Sequence, residues 1–157
     1  MTQPLRIGVI GSHACDASVA DIARRVGRLV AEAGAVLVCG GLGGAMAAAA
    51  EGARDAGGLT VGILPGSDPG DANPGIAVAI PTGMGEARNA VVVATSDAVI
   101  GIAGGWGTLS EAAFCLKNEV PLILLESDLP PLPVPKADTA DEAVRWALDR
   151  ARVGRGN

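Results

Sequence analysis

The residues of this 157-residue chain that could do chemistry lie in three glycine-bearing segments. One reads Ala103-Gly104-Gly105-Trp106-Gly107-Thr108-Leu109-Ser110-Glu111. Glycine lets backbone approach a ligand closely, and the free N–H groups of a helix N-terminus suit a phosphate. A carboxylate at Glu111 would then stand where it could stabilise a developing cation or orient water. Thr108 and Glu111 also have capping-box spacing, which would make Glu111 only a helix cap. A second segment, Gly40-Gly41-Leu42-Gly43-Gly44-Ala45-Met46, reads either as a phosphate cradle or as a tight turn. It is not a dinucleotide fingerprint, because Met46 stands where the third glycine belongs, and no Walker-type lysine motif exists anywhere. The third segment, Thr82-Gly83-Met84-Gly85-Glu86-Ala87-Arg88-Asn89, puts Arg88 at the head of an apolar run. A guanidinium there can clamp a phosphate or carboxylate, although taken alone it reads as a solvated arginine. Gly11 and Ser12 end the first apolar run, and His13, the single histidine, follows them with no triad partner in view.

Such segments need a scaffold that brings them together. Strand-like runs at 6–10, 35–38, 59–64, 76–80, 98–102 and 121–125 alternate with helix-like stretches at 17–33, 44–56, 85–95, 109–118 and 140–152. Residues 127–137 carry four prolines and read as a loop before the last helix, which Thr139 and Glu142 open as a capping box. The expectation is one α/β domain over residues 1–157, Rossmann-like and doubly wound, with a mostly parallel sheet. Ligands of such sheets bind outside the carboxyl ends of the strands, at the switch point. Gly11, then Gly40, Gly41, Gly43 and Gly44, then Gly104, Gly105 and Gly107 all follow predicted strands.

In this order the segments resemble the Rossmann-like group of cytokinin-activating phosphoribohydrolases, also called lysine decarboxylase-like. That group's signature is an Arg-Lys pair, an Asp and then PGGxGTxxE. Here Arg88 precedes Asp97 and Gly104-Gly105-Trp106-Gly107-Thr108-x-x-Glu111, with 23 residues from Arg88 to Glu111 as in the group. The group's Lys is Asn89 here and its Pro is Ala103. The chain is also similar to a small bacterial branch related to the molybdenum-cofactor carrier proteins. The resemblance implies a site with Arg88 and Glu111 as catalytic pair. Gly11, Ser12, Gly40, Gly41, Gly43, Gly44, Met46, Gly104, Gly105, Gly107 and Thr108 would bind the ligand. It leaves two functional readings: a phosphoribohydrolase cleaving the N-glycosidic bond of a nucleoside 5'-monophosphate, or a carrier or sensor of a phosphorylated ligand such as molybdenum cofactor. It further implies a homodimer or homotetramer. A pyridoxal enzyme is not expected, because Lys117 and Lys136, the only lysines, lie away from the predicted crevice.

Composition narrows the partners. Gly occurs 23 times against three aromatics, Trp106, Phe114 and Trp146, too few for a stacking sheet or aromatic cage. A net charge of −5 argues against nucleic-acid and membrane-surface binding. Cys15, Cys39 and Cys115 lack metal-ligand spacing, so no metal and no required cofactor are expected. The first residues carry no signal-peptide pattern and no apolar stretch is long enough to span a bilayer, so the expected compartment is the cytoplasm.

Overall fold

The computed structural model describes residues 2–156. Its strands and helices follow in the order β1 (Arg6–Gly11), α1 (Ala17–Glu32), β2 (Val36–Cys39), α2 (Ala45–Asp55), β3 (Thr60–Leu64), β4 (Val78–Pro81), α3 (Arg88–Thr95), β5 (Ala98–Ile102), α4 (Trp106–Lys117), β6 (Leu122–Leu125), β7 (Lys136–Ala137) and α5 (Ala140–Gly154). All seven strands form one sheet in the order β4-β3-β2-β1-β5-β6-β7. Every pairing in it is parallel.

The inner strands are largely apolar because both sheet faces are covered there, while edge strand β4 is mostly exposed. Side chains of Ile7, Val9, Leu37 and Ile100 meet α1, α2 and α5 on one face. Ile10, Val38, Val99 and Leu124 meet α3 and α4 on the other. Helix ends follow local chemistry. Asp16 Oδ1 accepts from Val19 N at 2.8 Å to start α1, and Gly34 at φ 73° ends the chain's turn out of it. Thr139 Oγ1 accepts from Glu142 N at 3.2 Å, while Glu142 Oε2 accepts from Asp138 N at 3.1 Å, so the expected capping box at α5 is formed, its return bond reaching one residue further back.

The chain leaves β1, builds outward to β4, then returns across the sheet to place β5 against the free side of β1. The switch point therefore lies between β1 and β5, where Gly11 pairs with Ile102. At the opposite end of the same two strands, Asp97 accepts from the Arg6 backbone N–H at 2.7 Å and from the Arg6 and Arg155 guanidiniums. Burial there opposes ionisation of Asp97, but these bonds outweigh it and hold its carboxyl below the usual range. Asp97 thus ties α5 to the sheet and stands away from the crevice.

The expected doubly wound sheet is present and is parallel throughout. Two local expectations are corrected. β7 sits inside the stretch read as loop. Four prolines hide it, since proline lacks an N–H to pair. The strand forms just past the last of them, with Leu124 N donating to Pro135 O at 3.0 Å. Helix α4 starts at Trp106, three residues before the expected start at 109, with Gly105 as N-cap and no side-chain cap bond. Thr108 and Glu111 are therefore both inside the helix and form no capping box.

Candidate functional site

A cavity of about 110 Å³ opens at the switch point. Of the residues expected to bind, Gly11, Ser12, Met46, Gly105, Gly107 and Thr108 line it, together with Arg88 and Glu111. His13, Glu86, Asn89 and Trp106 complete the wall and were not expected there as a set. Gly40 stands behind Arg88: a Cβ at that position would lie 2.8 Å from Nη2. Gly41, Gly43, Gly44 and Gly104 are not on this wall.

The two glycine-rich loops look alike in sequence and differ in what their helices do. At α2, Ala45 N donates to Ser12 O at 3.1 Å, so backbone takes the first N–H of the helix. Gly44, at φ 66°, lies so close to that carbonyl that any Cβ would overlap it. This loop is further stapled from the far side, where Asn73 Nδ2 donates to Leu42 O at 2.8 Å and to Gly41 O at 3.2 Å. At α4 the first helical bond runs from Leu109 N to Gly105 O at 2.9 Å. The N–H groups of Trp106, Gly107 and Thr108 precede it and have no acceptor within the helix. They border the cavity, and the helix dipole adds partial positive charge at the same point. The loop enters α4 through Ala103 at φ 54°. A proline, with φ fixed near −65°, cannot take that conformation, so the alanine here fits the loop's shape.

Arg88 supplies a full charge. It is 3% exposed, at the first turn of α3 and not in solvent. Nη1 donates to Asn89 Oδ1 and lies 3.7 Å from Glu111 Oε1; Nη2 donates to Gly40 O at 3.4 Å. Nε is buried without a partner among the described residues. Asn89 in turn donates from Nδ2 to Ser110 Oγ at 2.9 Å, and Ser110 donates to Gly107 O at 2.7 Å. The residue that replaces the resembled group's lysine thus links the guanidinium to the first turn of α4.

Burial pushes the Glu111 carboxyl up to about 8, with Glu86 adding to the rise and Arg88 opposing it. Burial thus favours the protonated form of Glu111 and leaves less carboxylate charge to offset Arg88. A stability test follows. A carboxyl whose folded pKa lies above its ordinary 4.5 stabilises the fold most at low pH and loses that contribution as pH rises to about 8. Wild-type stability is expected to fall across that window by on the order of 1 kcal/mol per pH unit at most. Glu111→Gln, neutral at every pH, is expected to flatten the slope in urea denaturation measured from pH 5 to 9. An equal slope in both proteins would refute the assignment.

Buried Cys39 and Cys115 are likewise pushed up, by burial first, to about 11 and about 12, so neither offers a thiolate. Among the described residues no group of three His, Cys, Asp or Glu could hold a metal ion. No helix among them is long and apolar enough to cross a membrane.

Comparison with known proteins agrees with this fold. The chain is 44% identical over 147 residues to an uncharacterised protein of Archaeoglobus fulgidus, covering 92% of this chain and 95% of that one. Among solved structures it is similar to the molybdenum cofactor binding protein of the phototrophic bacterium Rippkaea orientalis, at 35% identity and a TM-score of 0.88, covering 95% of this chain and 98% of that one. It is also similar to the molybdenum cofactor carrier protein of Chlamydomonas reinhardtii, at 27% identity and a TM-score of 0.86, covering 94% and 98%. The sequence pattern of the SLOG cluster4 family matches residues 4–149, and the chain belongs to that family, within the lysine decarboxylase-like SLOG superfamily.

Proposed function

We propose that this protein holds a small phosphorylated ligand at the switch-point cavity without breaking it, as a carrier or sensor, with molybdenum cofactor or a related pterin phosphate as the ligand class. One observation carries the reading: the buried Arg88 guanidinium, with its unpartnered Nε, shares a cavity wall with the unpaired N–H groups at the start of α4. That is a dehydrated anion site with one fixed cation, and it supplies charge-assisted bonds to phosphate oxygens. The likeness to two molybdenum-cofactor-binding proteins supports the ligand class. The cargo's metal finds no cluster of ligating side chains among the described residues, so the hold falls on its phosphate and ring.

The hydrolase reading asks for an ionised Glu111 to face a developing cation. Burial opposes that ionisation, which supports binding over cleavage. The experiment incubates the protein with nucleoside 5'-monophosphates and separates free base by chromatography while calorimetry reads binding. The expected result is binding with no released base. Base release that Glu111→Gln abolishes would overturn the carrier reading. Assembly into a homodimer or homotetramer belongs to the same proposal and is read by sedimentation.

Gly107 gives a sharper check. A Cβ there meets nothing within 4 Å, and the residue is helical, so packing does not require glycine. Gly107→Ala is expected to leave stability equal or higher by up to about 1 kcal/mol, as in other helices. Its methyl group would crowd the N–H cradle, and phosphate affinity is expected to fall roughly tenfold, about 1.4 kcal/mol. Unchanged affinity in calorimetry would move the anion away from α4.

A further inference from the structure

The cavity of about 110 Å³ suits a phosphate-sized group and is small for a whole nucleotide or pterin phosphate. On the other side of Trp106 lies a larger cleft of about 260 Å³, between the start of α4 and residues 128–130. Gly105 and Trp106 belong to both walls, so the two spaces adjoin across one residue pair. The far wall is held in place. Gly104, at φ 150°, lets Leu129 pack so tightly that a Cβ would sit 3.0 Å from Leu129 Cδ2, and Leu129 N donates to Ser127 Oγ at 3.1 Å. Leu109, Leu129 and Pro130 make the cleft apolar, and Asp128 is the single charged side chain on it.

Trp106 is 86% exposed, although the chain owns only three rings and the other two are half-buried. An indole left in water at the seam of an anion cavity and an apolar cleft is a stacking surface for a flat ligand. Gly105 sharpens this. It has an ordinary extended backbone, and a Cβ there would meet nothing within 4 Å, so neither conformation nor packing calls for glycine. Its missing side chain leaves the seam between cavity and cleft uncovered.

Building on the anion-site reading above, we propose that the Trp106 cleft binds the planar heterocycle of the same ligand, and that Asp128 selects rings carrying an adjacent N–H and NH₂ pair, as guanine and pterin do. The indole face stacks on the ring, and the Asp128 carboxylate accepts both ring-edge hydrogen bonds. Adenine lacks that paired donor edge and is held by stacking alone.

The test is calorimetry with inorganic phosphate, ribose 5-phosphate, AMP and GMP on wild type, Trp106→Ala and Asp128→Asn, both exposed positions. GMP is expected to bind ten- to a hundredfold tighter than ribose 5-phosphate. Trp106→Ala is expected to erase that gain, bringing the ratio of GMP to ribose 5-phosphate affinity to about one. Asp128→Asn is expected to bring GMP down to AMP, a loss of about tenfold. GMP no tighter than ribose 5-phosphate, or a gain that survives both substitutions, overturns the cleft while the anion site stands. If Trp106 is instead a contact between copies, Trp106→Ala lowers the sedimenting mass and leaves GMP binding unchanged, which also overturns it. No binding by any of the four probes removes the anion site and the cleft together.

Discussion

Arg88→Met is expected to weaken phosphate and GMP binding by at least about a hundredfold, the largest loss of any single substitution at the site. Methionine keeps most of the volume and removes the only buried cation on the cavity wall. The N–H groups of α4 remain, but a helix terminus contributes only partial charge. Folding should survive. Glu111 is already held near its neutral form, so no bare carboxylate is stranded, and loss of Arg88 moves its pKa further in the same direction. The cost is the loss of donors to Gly40 O and Asn89 Oδ1, on the order of 2 kcal/mol. Calorimetry reads the binding and urea denaturation the stability. Wild-type affinity in a folded Arg88→Met protein would place the anion elsewhere.

The largest stability effect belongs to a position far from any ligand. Gly27 in α1 lies against the backbone of α2, where a Cβ would overlap the carbonyl oxygen of Ala49, and Gly52 in α2 lies in the same way against the carbonyl of Arg24. Each helix has its glycine where the other helix's backbone crosses. Alanine in an open helix normally stabilises by up to about 1 kcal/mol over glycine. Here the sign reverses, because backbone cannot yield as a flexible side chain does. Gly27→Ala is expected to cost about 3 kcal/mol or more by forcing the helices apart. Since α2 carries Met46 on the cavity wall, ligand affinity should fall with it. Gly154→Ala, where a Cβ meets nothing, is the control and should leave the urea midpoint unchanged or raised. A Gly27→Ala midpoint equal to wild type would show that the two helices pack differently.

How much of this was legible in the sequence differs from residue to residue. Alternating apolar runs and helical periodicity were enough for the doubly wound sheet, since every long strand is buried on both faces. The spacing of Arg88 and Glu111 brought the two to one cavity, where they stand 3.7 Å apart. The burial of Arg88 was not legible, because its neighbours along the chain do not reveal that Gly40 makes room for it. Nor was the neutral state of Glu111, which depends on desolvation by elements distant in sequence. The two glycine-rich loops could not be told apart by composition. What separates them is Ser12 O, which takes the first N–H of α2, whereas the first N–H of α4 has no such backbone partner. Asn73, which fixes the first of these loops from 31 residues away, left no local signal. Prolines concealed β7 by making a stretch with one short paired segment read as all loop.

The most direct test of a site that binds a phosphate without cleaving its ligand is a ³¹P NMR titration of GMP with stoichiometric protein, Arg88→Met serving as reference. A resonance that shifts or broadens with wild type, stays unperturbed with the variant and gives no ribose 5-phosphate signal over hours is the expected result. A resonance that wild type leaves unperturbed, or a ribose 5-phosphate signal that grows with wild type and not with Glu111→Gln, would contradict it.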